Sequence, residues 1–355
     1  MSHEIDESTG RAAIAYAGQT PWHGLGTQLL STDAPEVQRR KAGLEWSALD
    51  GEVLFRRRAN GNGEAELVVA QDRKAIYRDD TGELLSIMTK DYHQVQPGEI
   101  FALYQNIAKA TGFTLETAGG LSGGKRIWAL LKVSEGAEII GHDQVKPYVL
   151  LATSYDGSMA TTGAFTAVRV VCHNTISMVI PQFADGEVRD YTGGGRHNGK
   201  QVRVLHTTKW TDEVSKKVRM DLGIAADSFE RFAIRAQALS GREMDRVAAD
   251  AFVQKLLEPY WNPPKDVEKA RVKNVRDTKG YRRIMALFQG EAKGSEMAGP
   301  TRWGMLNAVT EFVDHERGLT DSSRLDSAWF GTGAGLKERA FAILEGDFEV
   351  VKEAA

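Results

Sequence analysis

The sequence of 355 residues contains a single cysteine, Cys172. The chain therefore forms no internal disulfide, and zinc sites built from several cysteines are excluded. Long apolar runs are also missing: runs such as YVLLA fall far short of the roughly 20 residues that a membrane helix needs. The N-terminus, MSHEIDESTG, lacks the basic start and apolar core of a signal peptide. These absences predict a cytoplasmic protein.

Common catalytic patterns are absent too. None of the eight histidines has the HExxH spacing of a zinc protease, and no GxSxG nucleophile elbow occurs. The sequence predicts neither a metal nor a cofactor. It leaves catalysis open and favours a protein that is not an enzyme.

The segment RVVCHNT holds Cys172, His173 and Asn174, the residue types of a cysteine protease. Neighbouring residues on a strand point to opposite faces, so Cys172 does not have His173 as its base. A buried structural cysteine is the simpler interpretation.

Arg169 interrupts an apolar strand pattern, where a charge needs a partner or a ligand. An anion contact and an internal ion pair explain it equally well.

Composition and periodicity predict the fold class. With 42% hydrophobic residues and 36 glycines, the chain can bury a core and make many tight turns. Strand-like runs fill the first half, interrupted by a helical pattern from Gly98 to Gly112, and helical patterns fill the second half. We predict an α+β fold with an antiparallel β-rich N-terminal half and a helical C-terminal half. The predicted domains are 1–207 and 208–355.

Local signals predict individual elements within this fold. The turn residues Asp80–Gly82 and Asp156–Gly157 each predict a β-hairpin. In the C-terminal half, the apolar residues Trp303, Leu306 and Val309 recur at helical spacing and predict one buried helix face.

The segment GGLSGGKR, residues 119–126, matches most of a phosphate-binding loop. The pattern needs Ser or Thr after its lysine, however, and here Arg126 follows Lys125. The next residues, IWALLKV, are typical of a strand, whereas a phosphate-binding loop leads into a helix. We therefore predict a glycine-rich hairpin tip. It is either a plain turn or a contact for a nucleic-acid phosphate through Lys125 and Arg126.

Positive charge is concentrated in two windows, although the net charge of the chain is −3. The window from Arg196 to Arg219 contains seven Lys or Arg and two acidic residues. The window from Lys265 to Arg283 contains eight Lys or Arg and three acidic residues. A basic surface indicates a polyanionic partner, and a solvated helix face explains either window equally well. Tyr191 and Trp210 accompany the first window, and such aromatic residues stack on bases in proteins that bind single strands.

The segment PWHGLG, residues 21–26, combines residues that favour a tight turn. Trp22 supplies an apolar anchor, and the prolyl and glycyl residues set the backbone around His23. The pattern favours a structural turn over a site, since no catalytic partner for His23 is evident from spacing.

Five motifs, in order, resemble the phage/plasmid-like family of unknown function, whose members are encoded on phages, plasmids and integrative elements. They are PWHGLG, ETAGGLSGGKRIWALLKV, SYDGSMATTGAFTAVRVVCHNT, the helix after LHTTK, and WGMLNAVTEFVDHER. The resemblance implies a mobile-element setting in a bacterial host cell, where gene products process DNA, counter host defence or support replication. The predicted architecture is also similar to that of single-strand annealing proteins of recombination, an analogy that no motif carries.

The leading hypothesis is a DNA-metabolism protein that binds single-stranded DNA and acts in annealing or recombination, as a homo-oligomer. Its predicted contacts are Lys125, Arg126, Arg169, Arg196, Lys200, Arg203 and Trp210. Residues of uncertain role are Trp22, His23, His173 and Asn174. Two alternatives stay open: an enzyme that assembles His23, His173 or His206 with distant carboxylates, and a counter-defence or regulatory protein that binds a host protein.

Overall fold

A computed structural model describes most of the chain. The described residues are 5–18, 24–58, 65–169, 175–177, 201–204, 206, 213, 216, 228–262, 274–318, 327–328 and 332–346. The strands are β1 (Ile14–Tyr16), β2 (Thr27–Gln28), β3 (Ala48–Gly51), β4 (Leu54–Arg58), β5 (Ala65–Val69), β6 (Arg73–Arg78), β7 (Leu84–Thr89), β8 (Thr114–Leu121), β9 (Arg126–Lys132), β10 (Ala137–Ile140), β11 (Asp143–Ser154), β12 (Thr161–Arg169), β13 (Thr175–Ser177) and β14 (Gln201–Val204).

Helices dominate the second half. The α-helices are α1 (Pro35–Lys41), α2 (Pro97–Thr111), α3 (Ser228–Ser240), α4 (Arg246–Leu257), α5 (Lys279–Ala286), α6 (Ser295–Ala298), α7 (Arg302–Glu311) and α8 (Thr332–Glu345). Turns of π-helix extend α5 over Leu287–Glu291 and α7 over Phe312–Glu316. This layout confirms the predicted α+β fold with strands first and helices second.

Contacts divide the chain into two units. Unit 1 takes its residues from 1–133, 148–165 and 182–226, and unit 2 from 134–147, 166–181 and 227–355. Strands β11 and β12 supply residues to both units. The domain boundary after residue 207 stays a prediction.

The main sheet of unit 1 has the order β12, β11, β9, β8, β1, β2, and β14 pairs with β12. Strand β8 pairs antiparallel with both β9 and β1, and β1 with β2 is a parallel pair. A second antiparallel sheet has the order β3, β6, β7, and β4 pairs with β5 in a two-stranded sheet.

The predicted hairpin turn at Asp80–Gly82 is confirmed: the Gly82 amide donates to the Arg78 carbonyl at 3.0 Å. The turn at Asp156–Gly157 likewise joins β11 to β12.

Helix α2 packs against β9 in unit 1. A capping box starts the helix: the Gln96 amide donates to the Glu99 carboxylate at 2.7 Å. Gly112, in the left-handed region, ends it as predicted. Its buried apolar side chains, such as Ile107, recur at helical spacing, and β9 buries every second residue. The two periodicities form the core between helix and sheet.

In unit 2, β10 pairs with the first residues of β11, and β13 pairs with the last residues of β12. Helices α3, α5, α6 and α8 pack against α7, and α4 packs against α5 and α8. Thr301 caps α7, and its hydroxyl accepts from the Gly304 amide at 3.1 Å. The predicted face is buried, but so are residues outside it: Met305, Asn307, Ala308, Thr310 and Glu311. Neighbours cover more than one side of α7, including its polar residues Asn307, Thr310 and Glu311, so its buried surface is wider than periodicity predicted. The Trp303 indole donates to the Asp143 carboxylate at 2.9 Å, at the start of β11.

Candidate nucleic-acid interface

The glycine-rich segment forms the turn between β8 and β9, and we call its residues 121–126 the tip. Ser122, Gly123 and Gly124 all have positive φ, at 53°, 72° and 86°. The Gly124 amide donates to the Leu121 carbonyl at 3.0 Å, and the Lys125 amide donates to the Ser122 carbonyl at 3.4 Å. These two amides close the turn and so do not cradle a phosphate. The strand that follows, β9, confirms that the segment is a hairpin rather than a phosphate-binding loop.

The tip is fixed by a buried arginine at the end of β6. Arg78 donates from Nη1 to the Gly123 carbonyl at 3.4 Å. A Cβ atom at Gly124 would lie 2.9 Å from Arg78 Nη1 and 3.1 Å from Trp46 Cζ2. Only glycine therefore combines the required φ with this close approach.

The Arg78 cluster consists of Arg78 with Asp6, Ser8, Asp80 and Trp46. The fully buried guanidinium donates to Asp6 Oδ2 at 2.5 Å and makes two bonds with the Asp80 carboxylate, at 2.9 and 2.7 Å. Ser8 Oγ lies 3.0 Å from Nη1, and the Trp46 ring centre lies 4.6 Å from the guanidinium carbon. The hydrogen bonds from Arg78 lower the pKa of the Asp80 carboxyl. Two carboxylates thus compensate this buried cation.

The two predicted cations of the tip have different surroundings. Arg126 Nε donates to Ser158 Oγ at 3.1 Å, and Nη2 lies 3.9 Å from Asp156 Oδ2. The tip therefore lies beside the turn between β11 and β12, where the Tyr155 amide also donates to the Lys125 carbonyl at 2.8 Å. Within the described part of the chain, the half-buried Lys125 ammonium has no hydrogen-bond or ion-pair partner.

Strand register brings the backbone of Arg203 to the same end of the unit 1 sheet. Arg203 on β14 pairs with Thr162, at the start of β12, and Arg126 pairs with Ser154, at the end of β11. The hydroxyls of Thr153 and Thr161 lie 2.8 Å apart and mark this shared end. Three predicted phosphate contacts therefore converge on one end of the sheet.

The other predicted residues are separate from this end or lie outside the described residues. Arg169 is the last residue of β12, seven residues beyond Thr162, and belongs to unit 2. The structure describes only the backbones of Arg169 and Arg203. Outside the described residues lie Arg196, Lys200, Trp210, Trp22, His23, His173 and Asn174.

His206, a candidate for the enzyme alternative, is described and buried. Its Nδ1 and Nε2 lie 3.0 and 3.1 Å from the carbonyl oxygens of His93 and Met159, and its ring stacks on Tyr92 with centres 4.4 Å apart. Burial lowers the pKa of the His206 imidazole. Both ring nitrogens face backbone carbonyls rather than carboxylates, which is the environment of a structural histidine.

Two arginines of the second basic window are neutralised by carboxylates within unit 2. Arg276 makes two bonds with the Asp250 carboxylate, at 2.9 and 2.5 Å, and these lower the pKa of the Asp250 carboxyl. Arg283 makes two bonds of 2.7 Å with Glu316 and one of 2.7 Å with Glu291. These arginines hold helix ends together and do not form an open cationic surface.

One group of exposed cations was missed by sequence reasoning. They lie on the two-stranded sheet of β4 and β5, which we call the ribbon. Every residue of β4 is exposed. Arg57 pairs with Glu66 across the ribbon at 3.0 Å, whereas Arg56 and Arg58 have no ion-pair partner among the described residues. The signal was present in the run FRRR, because a strand places alternate residues on opposite faces.

Residues 84–329 match the family model named "Domain of unknown function (DUF932)". The chain belongs to the DUF932 family. The matched region includes the tip and β14, whereas the ribbon and Arg78 precede it. No curated protein matches the chain, and no solved structure does.

The described residues show neither a membrane-spanning helix nor a metal-binding cluster. No helix among them is long and apolar enough to cross a bilayer. No group of three or more His, Cys, Asp or Glu residues in the same part of the chain is arranged to hold a metal ion.

Proposed function

We propose that this protein binds single-stranded DNA at the end of the unit 1 sheet that carries the tip. The observation that supports the proposal is strand register: Lys125, Arg126 and Arg203 are up to 78 residues apart in the chain and lie at one sheet end. Cations gathered in this way contact successive phosphates of a flexible strand.

The three cations have different roles in this proposal. Arg126 is positioned by Ser158 and Asp156, so it holds the tip against the neighbouring turn and contributes charge from a fixed place. Lys125 and Arg203 provide the phosphate contacts. Trp210, which follows β14 in the sequence, is the proposed stacking residue.

The wider setting is also a proposal. We infer from the resemblance to phage and plasmid proteins that the gene lies on a mobile element and that the protein acts on DNA in the bacterial cytoplasm. Strand annealing by a homo-oligomer follows from this setting. Annealing activity requires that the full chain accelerate the pairing of two complementary oligonucleotides. A pairing rate equal to the rate without protein contradicts it.

Binding is tested with the full chain and a labelled single-stranded oligonucleotide over a range of salt concentrations. We expect binding at about 50 mM salt that weakens as salt rises, because cation–phosphate contacts release counterions. Each of Lys125→Gln and Arg203→Gln reduces the slope of log affinity against log salt by about 0.7, the value for one phosphate of a single strand.

The matched control is Lys109→Gln, which also removes one lysine charge from unit 1. Lys109 lies in the last turn of α2, and the chain then enters β8 at Thr114, the end of that strand opposite the tip. We expect this variant to keep the wild-type slope. Absence of binding at about 50 mM salt, or the same loss of slope in the control, contradicts the proposed function.

A further inference from the structure

The ribbon is an isolated element whose side chains are open to solvent. Strands β4 and β5 pair only with each other among the described residues. Leu54 is 54% exposed, Phe55 47% and Leu67 64%. A two-stranded sheet of this kind is marginally stable in water on its own. A bound partner would cover the apolar side chains and stabilise it.

The two faces of the ribbon differ in charge. Because side chains alternate along a strand, Arg56 and Arg58 share one face with Leu54, and their cross-strand neighbours are Leu67 and Ala65. The described residues of this face include no acidic side chain. The opposite face carries Phe55 and the Arg57–Glu66 pair, which is neutral as a pair. Free positive charge is therefore confined to one face, which we call the cationic face.

We propose that the cationic face of the ribbon lies in a groove of double-stranded nucleic acid, with Arg56 and Arg58 on its phosphates. The major groove of a DNA duplex is about 12 Å wide and admits a two-stranded ribbon. Arg56 and Arg58 are two residues apart on a strand, which separates their Cα atoms by about 6.6 Å along it. This spacing lets the two guanidinium groups reach different phosphates.

The composition of the cationic face favours a duplex over a single strand. Proteins that hold single strands stack bases on aromatic rings. Besides Arg56 and Arg58, the described side chains of the cationic face are all aliphatic, and Phe55 lies on the opposite face with the Arg57–Glu66 pair. Leucine and arginine side chains together are the residue types that enter duplex grooves. The inference concerns a different surface and a different ligand from the proposed function and does not depend on it.

The test uses the full chain with a labelled DNA duplex and, in parallel, one of its strands alone. The variant is Arg56→Gln/Arg58→Gln. Both positions are exposed and unpaired within the described part of the chain, so the variant should unfold at the wild-type temperature. We expect wild-type binding to the duplex. The variant should reduce the slope of log affinity against log salt by about 1.8, the value for two duplex phosphates. Its affinity for the single strand should be unchanged.

The matched control is Arg40→Gln/Arg57→Gln. It removes the same number of arginine charges from exposed ion pairs, Arg40–Glu45 and Arg57–Glu66, each at 3.0 Å. We expect it to keep the wild-type slope on the duplex. The inference is overturned by absent duplex binding, by an unchanged slope in the Arg56/Arg58 variant, by an equal change in the control, or by an equal loss on the single strand. Binding to the duplex without binding to the single strand overturns the proposed function alone.

Discussion

Two groups of arginines in unit 1 have opposite surroundings. Arg78 is fully buried and is held by two carboxylates, a hydroxyl and an indole ring. Arg56 and Arg58 lie on an exposed strand with no described carboxylate on their face. Each of these three arginines contributes one positive charge to the net charge of the chain. The difference teaches that the availability of a cation, rather than its presence, determines where a polyanion can bind.

The largest effect should come from Arg78→Ala. Asp6 is buried, so removing its guanidinium partner leaves a buried carboxylate without a compensating cation, at a cost of about 3–5 kcal/mol. Arg56→Ala, on the ribbon, should change the free energy of unfolding by less than about 0.5 kcal/mol. Urea denaturation of both variants measures the comparison. Equal effects would mean that the two environments do not differ as the structure shows.

A second prediction concerns the glycine that lets the tip approach Arg78. Gly124→Ala introduces a Cβ atom 2.9 Å from Arg78 Nη1 at a φ of 86°, and should cost about 1–3 kcal/mol. Gly82→Ala is the matched control. It has a φ of 70°, and its added Cβ meets nothing within 4 Å. Urea denaturation should show a larger loss for Gly124→Ala. A loss no greater than that of the control contradicts the close packing of the tip on the Arg78 cluster.

A third, smaller effect should appear as a pH dependence in the interior of unit 1. Burial lowers the pKa of His206 in the folded protein below its value of about 6.5 in an unfolded chain. The unfolded chain therefore takes up a proton first as pH falls. The resulting stability is present above about pH 6.5 and is lost as pH falls through the folded pKa of His206.

The measurement compares the free energy of unfolding of the wild type and His206→Gln across this pH range. We expect the wild type to lose more stability than the variant on acidification. The ribbon provides the internal control, because Arg56→Ala should leave the pH dependence of the wild type unchanged. Parallel curves for the wild type and His206→Gln are the result that contradicts a lowered pKa of His206 in the folded protein.

A fourth, small effect should come from Arg57→Ala, which removes the ion pair on the neutral face of the ribbon. Both side chains of the pair are more than half exposed, so the loss should be below about 1 kcal/mol and should diminish with added salt. Urea denaturation at low and high salt measures it. A loss as large as that of Arg78→Ala would show that the ribbon arginines are structural.

Local sequence signals predicted the turns, the capped helix α2 and the strand character of β9. The Asp-Thr-Gly turn, the final Gly112 and the alternation of β9 each act within a few residues. For α7, periodicity predicted only one buried face. The burial of its other sides depends on helices that are distant in sequence.

The candidate site was predictable in composition and not in geometry. The tip residues Lys125 and Arg126 were identified, but the partner of Arg126 at Ser158 follows from strand order. Arg78 carried no local signal, since Asp6 lies 72 residues away in the chain. The exposed arginines of β4 could have been found, because a strand with three consecutive arginines must place at least one on each face.

The most direct test of whether the availability of cations determines binding compares two double variants on the labelled single strand. Lys125→Gln/Arg203→Gln removes two cations of the proposed site, and Arg276→Gln/Arg283→Gln removes two that carboxylates of unit 2 hold. Both variants have the same net charge. We predict that the first reduces the slope of log affinity against log salt by about 1.4 and that the second leaves it unchanged. Equal reductions would contradict the account, because net charge alone would then explain the binding.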